Sequence, residues 1–395
     1  MSHLKSFFVD LHIHLGATAS GKPVKITASK SLTLERVLNE AVDIKGLDLI
    51  GIIDCHVPEV LAQIDCLLEK EILKENKQGG LCYKGKISFV LGSEIEVYDK
   101  KSKGPIHVLV YFPYLKTMKQ FSEWFSIRVT NITLSSQRIY EEGVLLQEKV
   151  KELGGLFIPA HVFTPFKSLY GRGVERSLTE VFNPEWIDAI ELGLSSDTTM
   201  ANQIEELYKF TFLTNSDAHS LANIAREYQK IIMQQPSFYE LEMAIKNLNG
   251  RKVECNFGLD PQLGKYYQTT CERCMEPVTN EMLQTCPGCG HRHFVKGVSA
   301  RIKEIVEVNQ SVKKLKKLRP PYIHQVPLQF IPGVGPKTLQ KLRQRFKTDM
   351  NIIHDVSQED LQQVVPMNIV DLIIKARMGE LSLKQGGGGK YGKIK

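Results

Sequence analysis

Apolar residues in the first half of the chain recur as short runs bounded by polar turns. Seven of these runs read as strands: Ser6–Leu11, Leu49–Ile53, Ile87–Val97, Ile106–Phe112, Leu156–Pro159, Ile187–Glu191 and Phe210–Leu213. Between most of them lie stretches with helical spacing, such as Thr33–Val42, Ser136–Leu153 and Phe238–Leu248. Strand and helix in alternation predict an α/β domain built on a largely parallel sheet. One connection departs from this. Ile87–Val97 and Ile106–Phe112 are joined only by YDKKSKGP, too short for a helical crossover, so these two strands are expected to form an antiparallel hairpin.

The chain of 395 residues is 42% apolar and 24% charged, which suits a globular protein of two or three domains and excludes a wholly disordered or collagenous one. No run of 18 apolar residues occurs, and MSHLKSFFVDLHIHL lacks the features of a signal peptide, so a cytoplasmic protein is expected. The net charge of +7 is uneven. From Lys296 to Lys395 there are 19 Lys and Arg against 8 Asp and Glu, while residues 1–295 carry 32 against 36. A basic C-terminal third points to a polyanionic partner, nucleic acid first.

Candidate metal ligands stand at the ends of the predicted strands. His12 and His14 share one face as His-x-His. Asp54-Cys55-His56 follows the second strand, Glu94 and Glu96 close the third, His161 follows Pro159-Ala160, and Ser216-Asp217-Ala218-His219 follows FTFLTN. Loops at the carboxyl ends of parallel strands line active sites. His107 opens its strand, but the hairpin would return it to the same rim. The set His12, His14, His56, Glu94, His107, His161, Asp217 and His219 is too large for one tetrahedral ion. It fits two or three divalent metals, such as zinc, manganese or magnesium, sharing carboxylates. Such clusters activate a water and clamp both oxygens of an in-line displacement at phosphorus; Asp217 and Glu94 are the residues expected to carry catalysis.

Farther along, Cys271, Cys274, Cys286 and Cys289 form two CxxC pairs 11 residues apart. Four thiolates leave no open position, so one structural zinc is expected there. The segment LQFIPGVGPKTLQKLR at 328–343 has the Gly-x-Gly turn of a phosphate-binding hairpin, with Gly333 and Gly335 in the turn and Lys337, Lys341 and Arg343 on the helix after it.

HIH at 12–14, DCH at 54–56, Glu94, HVLVYF at 107–112, AHVF from Ala160 and SDAH at 216–219 resemble the polymerase-and-histidinol-phosphatase (PHP) superfamily over residues 5–255. IPGVGPKTL resembles the helix-hairpin-helix motif. One departure stands out: LGATASGKP carries none of the acidic ligands that often follow the His-x-His pair. The order of PHP domain, four-cysteine module and basic helices, with HIHLGATASGKPVKITASKSLTL, resembles the endonuclease Q family.

That resemblance implies a distorted (β/α)7 barrel over 1–258, a four-cysteine zinc ribbon over 259–297, an all-helical domain over 298–383 and a flexible tail over 384–395. It further implies a DNA repair endonuclease that cuts 5′ of deaminated bases (uracil, hypoxanthine, xanthine) and abasic sites, leaving a 3′-hydroxyl and a 5′-phosphate. The loop VFTPFKSLYGRG, with Phe166 or Tyr170, is the candidate to receive the lesion base. The other readings are a PHP-type exonuclease, a small-molecule phosphatase, and an accessory DNA-binding module without activity.

Overall fold

The computed structural model describes residues 3–264, 266–278, 284–309, 318–381, 383–384 and 393–394. In chain order its first strands are β1 (Lys5–Ile13), β2 (Leu49–Ile52), β3 (Leu73–Glu75), β4 (Leu81–Tyr83), β5 (Ile87–Val97) and β6 (Ile106–Phe112). They are followed by β7 (Arg138–Ile139), β8 (Leu156–Pro159), β9 (Ala189–Glu191), β10 (Thr211–Leu213), β11 (Tyr228–Met233) and β12 (Lys252–Gly258).

Seven of these form a distorted barrel wall. β1, β2 and β5 pair in parallel, β5–β6 and β6–β8 antiparallel, and β9–β10 in parallel. Further backbone bonds complete the ring. Asp188 N–H donates to the Phe157 carbonyl at 3.0 Å between β8 and β9, and Ala218 N–H donates to the His12 carbonyl at 3.1 Å between the end of β10 and β1. The seven wall strands are the seven predicted ones. The hairpin is present too, with Glu96 opposite His107.

Strand geometry sends alternate residues to opposite faces, and the two faces are two apolar cores. Val9, Leu11, Leu49, Val90, Leu109, Leu156, Ile158, Ala189 and Leu213, drawn from all seven strands, fill the barrel interior. Ile50, Phe89, Leu91, Val108, Val110, Phe157 and Phe212 face outward and pack with Val37, Val60, Ile64, Met118 and Phe121 from the surrounding helices. Those helices include Leu34–Asn39, Pro58–Glu69, Leu115–Ser126 and Gly143–Glu152.

Two features depart from the sequence reading. Ser136–Leu153 is helical only from Gly143, because Ser136 has φ 52° and Arg138–Ile139 pairs with β5. β11 and β12 extend the sheet beyond β1 and were not predicted.

β13 (Thr270–Cys271) and β14 (Phe294–Val295) pair within the cysteine module. After it come the helix Val298–Val308, β15 (Tyr322–His324) pairing with β12, and the helices Pro336–Phe346, Asp349–His354, Gln358–Gln362 and Met367–Met378. Two arginines fasten this region to the barrel. Arg301 donates to the carbonyls of Tyr170, Val174 and Glu175, and Arg319 to those of Leu207 and Phe210, with its guanidinium 3.8 Å from the Phe212 ring centre. Five of the seven residues of the basic run at 313–319 lie outside the described residues, as does most of the tail.

Candidate metal centre

The mouth of the barrel is where the strand ends deliver their polar residues. β1 carries a register shift between Asp10 and Ile13, so Leu11 packs in the interior core while Ile13 packs outside. The shift turns the His12 and His14 pair into the mouth. The Asp217 loop is tied to β1 by a bridge between Ile13 and Ala218, and Arg226 donates to the carbonyls of Ser216 and Asp217. His161 and Asp217 both have left-handed backbones, with φ 32° and 45°, strain that non-glycine residues rarely carry outside functional sites. Gly193 makes room for His161: a Cβ there would lie 2.7 Å from the histidine's own Cβ.

Six of the eight predicted ligands gather into two groups, His12–His14–Asp217 and Glu94–His107–His161, each with its ligand atoms within 4.8 Å of one another. Glu94 joins them. Its Oε1 lies 3.5 Å from His12 Nε2, 2.9 Å from His107 Nδ1 and 3.5 Å from His161 Nε2, and its Oε2 lies 3.5 Å from His14 Nε2. Asp217 Oδ1 stands 3.4 Å from His12 Nε2 and 3.7 Å from His14 Nε2. The donor set fits divalent cations. The Nε2 atoms of His12 and His14 are buried with no hydrogen-bond partner, which is costly unless a cation takes the lone pair.

Carboxylates behind the ligands set their charge and orientation. Glu191 Oε1 accepts from His12 Nδ1 at 2.9 Å, and Asp54 Oδ2 lies 3.1 Å from His14 Nδ1. Burial opposes a proton on His12, yet Glu191 and Asp217 hold its pKa well above the usual value, so an incoming cation must displace that proton. Burial and the nearby Lys25 push His14 down to about 4 and keep it neutral. Burial would raise Glu94, but His107 and Lys25 hold it well below the usual carboxylate range.

Two predicted ligands stay outside the groups. Ser93 Oγ donates to His56 Nδ1 at 2.8 Å, and His56 Nε2 donates to the Leu134 carbonyl at 3.3 Å. Its ring sits against Phe125, because the chain turns straight into the helix Pro58–Glu69. With both nitrogens engaged, His56 stands apart from the two groups. His219 Nδ1 donates to the Asp217 carbonyl at 3.0 Å, leaving Nε2 as the available nitrogen. Sequence reasoning missed Glu191 and Lys25, and it quoted Asp54 without giving it a role. A carboxylate at the last position of a predicted strand was the available signal for Glu191.

The centre opens into a cavity of about 430 Å³, whose lining includes Lys25, Ser136, Phe166, Lys167, His219 and Tyr266. Phe166 is 41% exposed, its ring centre 5.4 Å from that of Tyr266. Tyr170 is unavailable to a ligand. It is fully buried, stacked on Phe163, and its hydroxyl donates to Glu206 at 2.8 Å. Gly171 and Gly173 lie against Thr164 and Ile106, which uses their small size inside the fold rather than toward a bound strand.

The four cysteines form one group, with Sγ–Sγ separations of 3.6 Å (Cys271–Cys289) and 3.5 Å (Cys274–Cys286). Thiolates on a tetrahedral zinc stand about 3.8 Å apart, given Zn–S bonds of about 2.3 Å, so the group fits that ion. At the hairpin, Gly333 has φ 85° and Gly335 precedes the helix Pro336–Phe346, with Gly333, Gly335, Lys337 and Lys341 all exposed. Arg343 is engaged elsewhere. Its Nε and Nη2 donate to the two oxygens of Asp349, each at 2.8 Å, which holds the side chain against the next helix.

The chain is 53% identical to the YqxK protein of Bacillus subtilis (strain 168) over 392 residues, 99% of this chain and all of that one. It also superposes on the crystal structure of the lesion-specific endonuclease PfuEndoQ from Pyrococcus furiosus, with a TM-score of 0.83 and 32% identity, over 99% of this chain and 95% of that one. The chain belongs to the endonuclease Q family. As a member it is a metal-dependent endonuclease. An endonuclease Q complex with a 27-mer duplex substrate carrying an abasic lesion at the active site gives a TM-score of 0.81 at 32% identity, over 99% of this chain and 96% of that one. The protein MJ0043 of Methanocaldococcus jannaschii (strain ATCC 43067 / DSM 2661 / JAL-1 / JCM 10045 / NBRC 100440) is 33% identical over 253 residues, which is 31% of its length. No protein-family model matches the chain. Among the described residues no helix is long and apolar enough to cross a membrane.

Proposed function

We propose that this endonuclease nicks duplex DNA on the 5′ side of abasic sites and of deaminated bases (uracil, hypoxanthine and xanthine), leaving a 3′-hydroxyl and a 5′-phosphate. The observation that carries the reading is one carboxylate, Glu94, joining two ligand groups at the floor of a cavity with an exposed aromatic wall. Divalent ions held by His12, His14, Asp217, Glu94, His107 and His161 would supply an activated water and a clamp on both oxygens of an in-line displacement.

The chain's own residues do the rest. Asp217 and Glu94 stay ionised and ready to ligate, because the surrounding histidines, with Lys25 beside Glu94, outweigh the effect of burial. His219, fixed through Nδ1, lines the same cavity, and its imidazolium form would pass the Nε2 proton to the departing 3′ oxygen. A deaminated base pairs poorly and an abasic site not at all, so either leaves the stack at less cost than a normal nucleotide. Phe166 and Tyr266 offer it a stacking face, and the Lys167 ammonium, 50% exposed and 2.9 Å from Glu96, stands beside it for a phosphate. The exposed hairpin at Gly333–Lys341 holds the duplex backbone without reading sequence.

The test uses end-labelled duplexes carrying one deoxyuridine, one deoxyinosine, one abasic site or no lesion, with manganese, magnesium or zinc. The expected result is a single nick immediately 5′ of each lesion, abolished by Asp217→Ala. Degradation from the ends regardless of lesion, or turnover of a small phosphate ester without nicking, overturns the reading.

A further inference from the structure

The loop that carries Asp217 and His219 connects β10 to β11. Asp10 straps its neck, accepting from Ser216 N–H at Oδ1 and from Ala225 N–H at Oδ2, each at 3.0 Å. Its far turn, Leu221–Asn223, is held from elsewhere. The Ala222 carbonyl accepts two side-chain bonds there, from Lys45 Nζ at 3.1 Å and from Gln329 Nε2 at 3.0 Å, which engages both of its lone pairs.

Both donors lead to the phosphate-binding hairpin. Gln329 sits in the turn Leu328–Phe330, directly before the Gly333–Gly335 turn. Lys45 ends the helical segment Glu40–Lys45, and its side chain is 4% exposed. Its ammonium lies 3.4 Å from Asp349 Oδ2, and Asp349 is the carboxylate that takes both donors of Arg343 on the hairpin's second helix. The barrel and the C-terminal helices meet closely at this point: a Cβ on Gly46 would lie 2.5 Å from Thr348 Oγ1.

We infer that Lys45 and Gln329 are positioning residues that hold the Asp217–His219 loop in register with the hairpin. A duplex gripped by its backbone at Gly333–Lys341 would then present its scissile phosphate to the metal centre at a fixed distance. The inference rests on the proposed role of the hairpin in gripping the duplex, and not on which lesion is cut.

Charge pairing alone does not account for Lys45. Asp349 already has a bidentate partner in Arg343, and a lysine is buried at a cost that its contacts must offset. What Lys45 adds beyond Arg343 is the bond to Ala222, three residues past His219. Gln329 repeats that bond from the other side of the hairpin turn, so two independent arms end on one oxygen of the catalytic loop.

The experiment uses full-length protein and a lesion duplex long enough to span the hairpin and the centre, and it separates rate from binding. Lys45→Met keeps the side-chain length and leaves Asp349 with Arg343, while Gln329→Met acts at a half-exposed position. Single-turnover nicking at saturating protein should slow about 10-fold in each, less than the roughly 100-fold that a 1 Å misplacement costs. Duplex affinity should stay unchanged, and Lys45→Arg, which keeps a charged donor, should recover most of the rate. A wild-type rate in either folded variant overturns the inference, and so does a loss that saturating protein removes. A loss shared by a Lys45→Arg protein that melts as the wild type does marks a packing role and also overturns it. If Lys45→Met does not fold, Gln329→Met decides. If the wild type nicks no lesion duplex, the proposed function fails, and hydrogen exchange on the free protein decides instead. Faster exchange of the amides between residues 218 and 224 in the two Met variants, with β1 unchanged, supports the tie; unchanged exchange overturns it.

Discussion

Glu191 touches one ligand from each metal group, which makes Glu191→Gln the most informative single substitution. Three donors converge on its carboxylate: His12 Nδ1 to Oε1 at 2.9 Å, Asn215 Nδ2 to Oε1 at 2.8 Å, and the His161 backbone N–H to Oε2 at 2.8 Å. An amide keeps one acceptor and turns the other into a donor. If its oxygen stays with His12 and Asn215, the new N–H faces the His161 N–H, and a buried donor is left unpaired at a cost of about 1–3 kcal/mol. If it flips, His12 loses the group that fixes its tautomer. Either arrangement disturbs a ligand, and losses of this kind lower metal affinity about 10–100-fold, or about 1.4–2.8 kcal/mol. Competition with a chromophoric chelator measures that loss directly, and zinc retained on the cysteines serves as the internal control. An unchanged dissociation constant together with full nicking activity would refute the claim that Glu191 positions both groups.

Two further perturbations separate stability from binding. Burial raises the Glu227 carboxyl from its ordinary value to about 8, and its bond from Leu259 N–H at 2.8 Å opposes this only in part. The folded protein therefore holds a proton that the unfolded chain releases near pH ~4.3. This contribution is fully present below that pH and is lost as pH rises through about 8. Tm should fall between pH 5 and 9 in the wild type and fall less in Glu227→Gln, which keeps an oxygen for Leu259; parallel curves would exclude Glu227 as the source. At the hairpin, a Lys337→Ala/Lys341→Ala double substitution should weaken binding to any duplex and reduce the slope of log K against log salt by about 2, if each lysine meets one phosphate. Arg343→Ala should leave that slope alone and lower Tm instead, since a hydrogen bond to a charged partner contributes about 1.5–3 kcal/mol. Titrations of an unmodified duplex at several salt concentrations distinguish the two.

What was legible in the sequence follows a physical division. Strands covered on both faces must be apolar along their length, so Ile87–Val97 and Leu156–Pro159 announced themselves with their true boundaries. β11 and β12 mix Gln, Lys, Glu and Asn into their runs, and that polar content hid them. Ligands at strand ends were legible for a related reason, because the C-terminal rim of such a barrel is the place where polar residues converge.

His56 shows the limit of that rule. It also follows a strand, but the chain enters the helix Pro58–Glu69 directly after it and the ring packs against Phe125 rather than into the mouth. Spacing along the chain fixes which end of the barrel a side chain reaches, not which way it turns there. Lys25 shows the complement. Its partner Glu94 lies 69 residues away, and a lysine in a loop carries no pattern that separates a solvated charge from one aimed at a buried carboxylate. Only the folded loop supplies that distinction.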